Sequence, residues 1–455
     1  MATPPKALEG IKIAAIGTLV TVPLTARHFA LHGATVVRVE SHVRLDGLRT
    51  QRPFPGGKVL LDHGVWFANI NSGALDLCVD WTKPSGKGIV DRLARWADVI
   101  LENFSPGVLD RFGWDYATLS KERPELIYMS SGIMGKGGSW QSLIGLGTAG
   151  AAIAGITHMT GWPGGEPTPV MTQYTDFTNP RLGVAALLGA LEYRRRTGKG
   201  QYLDQSQVEG GIQLISPILM DWLNNQQSAQ RTGNWTPEAA PHNTYPCQVD
   251  KTLRGDDRWV AIAALNDRHW QGLRRALGNP SWAHEERFAT LLGRQRHLKE
   301  LDALLAQWTR QRTPEEVEAL LQREGVPASV VEDSRTTRED VQLDHRGFFR
   351  TLRHSVLGEH TYRGPSFRLS RTPDVHRAGP ALGEHNVQVC RMLGMKDEEV
   401  WTAMEEGALA TQPSVPVSGE VEGDSYSDTL PFLEDRRRQA QALPTVMVEG
   451  RRSER

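Results

Sequence analysis

The stretch LEGIKIAAIGTLVTVPLTARHFALHGATVVRVES, from Leu8 to Ser41, predicts a strand, a helix and a second strand. The first strand is expected at IKIAAIG (Ile11 to Gly17), where β-branched and small apolar residues predominate. The helix is expected at TARHFALHG (Thr25 to Gly33), which a glycine closes, and the second strand at TVVRVES. A strand, a helix and a strand in this order are typical of a βαβ unit, whose two strands lie parallel in one sheet.

The same alternation continues through the N-terminal half of the chain. A helix is predicted at PSGKGIVDRLARWA, a strand at DVILEN, a helix from Asp115 to Lys121 and a strand at ELIYMSS. This pattern predicts an α/β fold with an open, doubly wound, Rossmann-like parallel sheet. Ligands of such sheets bind beyond the carboxyl ends of the strands.

Composition divides the rest of the chain. Asn224 to Pro246 is rich in Asn, Gln, Thr and Pro, so we expect the large domain, 1–225, to end there. A smaller α+β domain, 226–330, is predicted from the strand RWVAIAAL, the helix DRHWQGLRRALG and two later helices. From 409 to 455 the chain turns to Pro, Ser, Gly and charged residues, which predicts a mobile tail.

Charge and hydropathy exclude several classes of protein. The formal net charge is -1 with 23% charged residues, which argues against nucleic acid as a partner. No apolar run approaches the roughly 20 residues that span a bilayer, and the N-terminus has no signal-peptide core, so we expect a cytoplasmic protein without a membrane contact. Three widely spaced cysteines give neither a disulfide framework nor a metal knuckle, and no metal site is predicted.

Two motifs suggest chemistry that their surroundings do not support. Gly145-Leu-Gly147-Thr-Ala-Gly150 matches GxGxxG, but a dinucleotide site needs that motif directly after a strand, and here a long loop follows the strand that ends near Ser131. Arg194-Arg195-Arg196, followed by Gly198, fits the end of a helix better than an anion site, because cations there oppose the helix dipole.

Ordered sequence blocks over most of the chain resemble the class III CoA-transferases, the family of formyl-CoA transferase and carnitine CoA-transferase. The blocks are LEGIKIAAIGTLVTVPLTARHFALHGATVVRVES, WADVILENFSPGVLDRFGWDYATL, RRRTGKGQYLDQSQVEGG, EGVPASVV, DHRGFF, RGPSFRLSRTP and GPALGEHNVQV. The resemblance implies an enzyme that uses a CoA thioester as substrate and holds no permanent cofactor. It also implies that 331–408 returns to the large domain and that two chains interlock as a dimer, either of identical chains or with a related subunit.

The resemblance places the catalytic nucleophile at Asp176, in QYTDFTNPRLG. A carboxylate can attack a thioester to give a mixed anhydride and CoA thiolate, which then forms an aspartyl-CoA thioester and passes CoA to a second acid. Asp before a helix also commonly caps it, and the spacing alone favours the cap; the resemblance favours the nucleophile.

Further contacts with CoA follow from the same resemblance. Arg38 matches the position that lies against the adenine, and Asn103, Phe104 and Arg111 match the block that touches the adenosine and phosphate portions. Gly135, Lys136 and Gly137 lie in the turn SSGIMGKGGS, where backbone N–H groups could stabilise an oxyanion. An ordinary surface loop would have the same composition.

The acceptor acid is predicted from the aromatic residues Trp140, Trp222, Trp235, His242 and Tyr245, which suit a bulky substrate unless they belong to the core or to a dimer interface. The segment TDFTNPR, followed by a long alanine- and leucine-rich helix, resembles the succinyl-CoA:benzylsuccinate type from anaerobic aromatic or hydrocarbon degradation. We therefore expect succinyl-CoA as donor and an aryl- or alkylsuccinate as acceptor. The alternatives are an acyl-CoA racemase or epimerase, for which His158 and Asp176 would both face the substrate, and a non-catalytic subunit of a heteromeric transferase.

Overall fold

The computed structural model describes residues 5–170, 173–248, 257–415 and 417–420. The strands are β1 (Lys12–Ile16), β2 (Thr35–Glu40), β3 (Lys58–Leu60), β4 (Leu75–Cys78), β5 (Val99–Glu102), β6 (Ile127–Gly132), β7 (Gln201–Ser206), β8 (His242–Pro246), β9 (Trp259–Ala263), β10 (Ala328–Val330), β11 (Phe349–His354), β12 (Gly358–Arg363) and β13 (Ser418–Glu420).

Helices alternate with these strands through the N-terminal half. They are α1 (Thr21–Leu31), α2 (Val65–Ile70), α3 (Pro84–Trp96), α4 (Tyr116–Glu122), α5 (Gly147–Ile153), α6 (Ile156–Met159), α7 (Tyr174–Thr197), α8 (Gln207–Leu214), α9 (Ser216–Asn225), α10 (Asp267–Ala276), α11 (Leu291–Arg296), α12 (Leu298–Thr309), α13 (Pro314–Arg323), α14 (Ser334–Glu339), α15 (Val341–His345), α16 (Asn386–Met392) and α17 (Asp397–Glu405).

The described chain forms two compact units. The first contains 5–157, 169–229 and 344–420, and the second contains 158–168 and 230–343. The chain therefore leaves the first unit after Ala229 and returns to it at Asp344.

A six-stranded sheet in the order β4-β2-β1-β5-β6-β7 forms the centre of the first unit, and all its strand pairs are parallel. Ile13 of β1 pairs with Val36 on one side and with Val99 on the other. The strand order reverses between β1 and β5, which is the point where doubly wound sheets open a crevice for ligands. The predicted open, doubly wound α/β sheet is confirmed.

Both faces of this sheet are buried. Ala14 and Ile16 of β1 lie in the core on one face, against α3, whereas Ile13 and Ala15 lie in the core on the other, against α1 and α7. Successive strand residues point to opposite faces, so an apolar strand such as β1 can supply both cores. Each buried Ile or Val contributes roughly 1.5–3 kcal/mol relative to an exposed side chain.

β4 and β7 of the sheet were not predicted from the sequence, and α1 begins earlier than expected. β4 has only the four residues Leu75–Cys78, and the edge strand β7 has four polar residues among its six, so neither has a strong β pattern. α1 begins at Thr21 instead of Thr25, since its Pro23 lies in the first helical turn, where a missing N–H costs nothing.

Backbone N–H groups of the C-terminal segment hydrogen-bond to the N-terminal part of the first unit. Amides of Leu382 and Gly383 donate to Asp62 and Asp76, at 3.0 and 2.7 Å. β13 pairs with β3, so residues 418–420 of the predicted mobile tail are held in a small sheet. Residues 421–455 of that tail lie outside the described residues.

The smaller unit has its own core. Its antiparallel sheet, β10-β9-β8, packs with helices α10 to α13 around a cluster that includes Tyr245, Ile262 and Leu305. The predicted smaller α+β domain is confirmed as a fold class. In the ranges that the structure covers, no helix combines the length and the apolar character needed to cross a membrane.

Candidate active site

A cavity of about 190 Å³ opens at the switch point of the six-stranded sheet. Its walls come from the residues that directly follow β1 and β5, from the end of β6 and from the start of α7. The residues are Thr18, Leu19, Val20, Thr21, Asn103, Phe104, Ser105, Pro106, Ser131, Gly132, Ile133, Gly135, Lys136, Gln141, Ser142, Leu143, Ile144, Gly145, Leu146, Asp176 and Gln207. Asp176, Asn103, Phe104, Gly135 and Lys136 of the predicted site thus meet in one place.

Asp176 lies in the first turn of α7 and is 6% exposed. Its Oδ2 accepts a hydrogen bond from the backbone N–H of Gly147, 3.0 Å away at the start of α5. The residue that precedes the helix is Gln173, so Asp176 does not occupy the N-cap position. The carboxylate is therefore held by the start of a neighbouring helix.

Burial raises the pKa of Asp176 above the ordinary value of 3.8, while hydrogen bonds from Gly147 and from the side chain of Gln207 oppose the rise. A poorly solvated carboxylate is a stronger nucleophile than one in water, provided that it is ionised. The surroundings thus favour nucleophilic chemistry over a purely structural role.

The residues that fix Asp176 come from the motif that resembles a dinucleotide fingerprint. A Cβ on Gly147 would lie 2.7 Å from Cγ of Asp176, and a Cβ on Gly150 would lie 2.4 Å from Oγ1 of Thr175. The Thr175 hydroxyl lies 2.9 Å from the carbonyl of Gly147 and 2.9 Å from Oε1 of Gln207. Gly147 and Gly150 let α5 approach the start of α7. The sequence did not indicate that Gly147, Thr175 and Gln207 support the position of Asp176.

Asn103 and Phe104 shape the wall opposite α7. The Asn103 amide donates to the carbonyl of Thr18 at 2.9 Å, and its Oδ1 accepts from the Thr18 N–H at 3.0 Å. Asn103 therefore fixes the turn between β1 and α1. Phe104 packs edge-on against Trp81, with ring centroids 5.9 Å apart, and joins the core on the α3 face.

Lys136 brings a positive charge to the cavity. Its Nζ donates to the Phe104 carbonyl at 2.8 Å and lies 3.2 Å from Glu102, while its backbone N–H donates to Asp204 at 2.8 Å. Gly135 lines the cavity with a φ of 78°, and the N–H of Gly137 donates to Gln141 at 3.1 Å. The turn is thus fixed by several hydrogen bonds.

Arg38 lies away from the cavity. It is 1% exposed, and its guanidinium contacts Glu40, Asp46 at 2.5 Å and Asp76 at 3.2 Å. Its face lies 4.6 Å from the ring of Phe67. To stack on an adenine, as predicted from the resemblance, Arg38 would have to leave this buried cluster.

The buried ion cluster extends to Arg49, whose Nε lies 2.9 Å from Glu40 and which also pairs with Asp62. Asp46 connects the cluster to the cavity, because its Oδ2 accepts from the N–H of Leu19 at 2.9 Å. Leu19 has a φ of 62°, so this hydrogen bond supports a strained turn residue. Arg111 is exposed in the short 3-10 helix Asp110–Phe112 and does not line the cavity.

The aromatic residues predicted to contact the acceptor acid are not part of the described cavity lining. Tyr245 is 1% exposed, belongs to the core of the second unit and donates to Asp302 at 2.5 Å. Trp140, Trp222 and Trp235 are 63%, 47% and 43% exposed. None of these residues lines the cavity around Asp176. For Tyr245 the core interpretation, which the sequence left open, is the one that the structure shows.

Within the described ranges, no group of three His, Cys, Asp or Glu side chains could hold a metal ion. The cavity lining given above also includes no histidine from the described residues. Its chemistry therefore depends on one buried carboxylate, one lysine, hydroxyl and amide side chains, and backbone N–H groups.

Known proteins are similar to this chain over most of its length. A family model described as CoA-transferase family III matches residues 8–386. A succinyl-CoA–D-citramalate CoA-transferase of Chloroflexus aurantiacus is 30% identical over 399 residues, covering 87% of this chain and 96% of the relative. The beta subunit of a succinyl-CoA–L-malate CoA-transferase of the same organism is 28% identical, covering 86% and 96%.

A human relative and a solved structure agree with these matches. The succinyl-CoA:glutarate CoA-transferase of Homo sapiens is 25% identical, covering 89% of this chain and 90% of the relative. The crystal structure of a CAIB/BAIF family protein from Brucella suis has a TM-score of 0.77 and 28% identity, covering 85% of this chain and 99% of that one.

Proposed function

Because the chain belongs to CoA-transferase family III, we propose that this enzyme moves CoA from succinyl-CoA to a free dicarboxylic acid through covalent chemistry at Asp176. The observation that carries the proposal is the buried Asp176 carboxylate, which lines the cavity at the sheet's switch point and is oriented by the Gly147 N–H. Family membership supplies the reaction class, and the burial and orientation of Asp176 support the choice of this residue as the nucleophile.

The proposed reaction begins when a carboxylate oxygen of Asp176 attacks the thioester carbonyl carbon. The C–S bond breaks, CoA leaves as thiolate, and Asp176 carries a mixed anhydride. The thiolate then attacks the aspartyl carbonyl and releases the first acid as a carboxylate. The acceptor carboxylate repeats these steps in reverse, which restores Asp176 and yields the new acyl-CoA.

The donor and acceptor classes rest on the relatives. Those named above use succinyl-CoA with citramalate, malate or glutarate, all of which are dicarboxylic acids. The predicted aryl- or alkylsuccinate belongs to this class, but the aromatic side chains that suggested it do not line the cavity. We therefore propose the class of dicarboxylic acids, with substituted succinates as members to be tested.

Lys136 is proposed to meet an anionic portion of a substrate, since it is the cation in the described lining of the cavity. Asn103 and Phe104 are proposed to form the wall along which CoA enters. Gly135 and Gly137 let the chain turn beside this wall, at φ angles of 78° and 93° that glycine adopts readily. Arg111, which is exposed and belongs to the same sequence block as Asn103 and Phe104, is proposed as a phosphate contact.

The nucleophile is tested by trapping. Wild type is incubated with succinyl-CoA and hydroxylamine, and peptide mass spectrometry locates the hydroxamate. We expect it on Asp176 and expect Asp176→Ala to lose transfer by at least about 10³-fold, because the covalent route is removed. Asp344→Ala, which removes an exposed carboxylate outside the described cavity lining, serves as a control and should keep wild-type activity. A fully active Asp176→Ala enzyme excludes the proposed mechanism.

A racemase or epimerase is the second candidate. Its expected histidine, His158, is not part of the described cavity lining. Incubation in deuterated water distinguishes the two, because a racemase introduces deuterium beside the thioester without transferring CoA. A non-catalytic subunit is disfavoured by the buried Asp176, although one relative is named as a beta subunit.

We also propose a cytoplasmic dimer. Apolar side chains of α7 to α9 are exposed in the single chain, including Leu188, Leu214, Trp222 and Leu223. Large exposed apolar surfaces of this kind commonly pack against another chain. Sedimentation at low concentration tests the proposal: a stable, folded monomer would contradict it. Whether the second chain is identical is tested by copurification from the native source.

A further inference from the structure

A buried serine at the end of β6 presents an unused hydroxyl to the cavity. Ser131 is 2% exposed, and its Oγ has no hydrogen-bond partner in the part of the chain that the structure describes. A buried hydroxyl without a partner costs roughly 1–3 kcal/mol, so a bound ligand is a natural candidate for the missing partner. The cavity that Ser131 lines also contains Asp176.

Strand alternation places Ser131 on the same side of the sheet as the helix of Asp176. Ile127 and Met129 of β6 lie in the core that also contains Leu187 and Ala190 of α7. Ser131 is two residues beyond Met129, so it points to that face as well. Ser130 points to the opposite face, with Tyr128, and does not line the cavity.

Three backbone donors near the cavity are already engaged. The N–H of Gly147 donates to Asp176 itself, that of Lys136 to Asp204 and that of Gly137 to Gln141. The Ser131 hydroxyl, in contrast, is uncommitted. Acyl transfer through a tetrahedral intermediate needs a hydrogen-bond donor at the oxygen that becomes negative.

We propose that the hydroxyl of Ser131 donates a hydrogen bond to the oxyanion formed when Asp176 attacks the thioester, an inference that rests on the proposed function. In that step the bond between aspartyl oxygen and carbonyl carbon forms, and the carbonyl π electrons move to oxygen. Collapse re-forms C=O and breaks the C–S bond, which releases CoA thiolate. Ser131 keeps its proton throughout.

Ser131→Ala tests the proposal with Ser130→Ala as matched control. Both changes remove a buried hydroxyl from the same strand, but only the first removes one from the cavity. With succinyl-CoA and the best dicarboxylic acceptor, Ser131→Ala should lower kcat by about 10²–10³-fold and change KM less than about threefold. Ser130→Ala should stay within about threefold of wild type, and Ser131→Thr should recover part of the loss.

Thermal melting and hydroxylamine trapping complete the test. Ser131→Ala should melt no lower than wild type, because it loses an unpaired buried hydroxyl, and it should acylate Asp176 more slowly. Equal acylation rates, a change confined to KM, or equal losses in the two alanine variants would overturn the role of Ser131 alone. Absence of acylation in wild type would instead overturn the proposed function, and the inference with it.

Discussion

The backbone N–H of Gly147 lies 3.0 Å from Oδ2 of Asp176, and a Cβ at Gly147 would lie 2.6 Å from the Asp176 nitrogen. Both the hydrogen bond and the absence of a side chain are therefore needed where α5 meets α7. Contacts this short cannot be relieved by a flexible side chain, because they involve the backbone of Asp176.

Gly147→Ala should consequently displace the Asp176 carboxylate. We expect kcat for CoA transfer to fall by about 10²-fold, since misplacement of a reacting group by about 1 Å has effects of this size. Gly88→Ala is the control, because a Cβ at Gly88 in α3 meets nothing within 4 Å. It should stabilise the chain by about 0.5–1 kcal/mol in urea unfolding and leave kcat unchanged. Full activity of Gly147→Ala would contradict the tight fit.

The sequence predicted the parallel sheet well because β1, β2, β5 and β6 are buried over most of their length and at least half of the residues in each are apolar. It did not predict which residues support Asp176. Gly147 and Gln207 are 29 and 31 positions away, so the packing of α5 and α8 against α7 determines their role, and no local pattern shows it. For Arg38 a motif was available, but it predicted a contact with CoA. It did not indicate that four carboxyl groups surround Arg38 and Arg49 in the fold.

The pH dependence of transfer should reflect the raised pKa of Asp176. Attack requires the carboxylate, so activity should disappear as pH falls through a value above the ordinary 3.8. The effect of pH on stability has the opposite sign to its effect on activity. Because the folded state holds this proton more tightly than the unfolded state, stability should fall as pH rises from the ordinary 3.8 through the raised folded pKa, and should not fall further on this account above it.

Asp176→Asn tests both signs at once. It should abolish transfer and should melt at the same temperature as wild type or higher at pH 7, because the cost of a buried charge is removed. Differential scanning calorimetry and kcat/KM profiles from pH 4 to 8 measure the two effects. A variant that melts well below wild type at pH 7 would show that the carboxylate stabilises the fold.

Arg38→Met should destabilise the chain by about 3–5 kcal/mol, the usual consequence of removing one side of a buried ion pair. Glu40 and Asp76 would then form ion pairs with Arg49 alone, and Asp46 would lose its ion pair with Arg38. Arg111→Met is the control, since Arg111 is exposed and its removal should change stability by less than about 0.5 kcal/mol. Urea unfolding and the KM for succinyl-CoA are measured for both. Unchanged stability with a large rise in KM would favour adenine stacking by Arg38.

Asp76 lies at the centre of the same cluster, where Arg38 lies 3.2 Å from its carboxylate and the Gly383 N–H donates to it at 2.7 Å. Burial, followed by the charge of Glu40, raises the pKa of Asp76 to about 7. Between the ordinary 3.8 and about 7, the folded state holds a proton that the unfolded state has lost. Stability should therefore fall as pH rises through this window, by at most about 1.4 kcal/mol per pH unit for one proton.

Asp76→Asn removes this titration while keeping an oxygen that can accept from Gly383. The pH slope of the unfolding free energy should therefore be smaller in the variant than in wild type between pH 5 and 7, and the two slopes should converge above pH 7. Glu40 does not interfere, because its pKa is lowered to about 2 and its stabilising effect is lost only below this window. Urea unfolding at pH 5, 6, 7 and 8 measures the slopes, with the exposed Asp110→Asn as control. Parallel slopes in wild type and Asp76→Asn would mean that Asp76 is ionised throughout, and that the two guanidinium groups outweigh its burial.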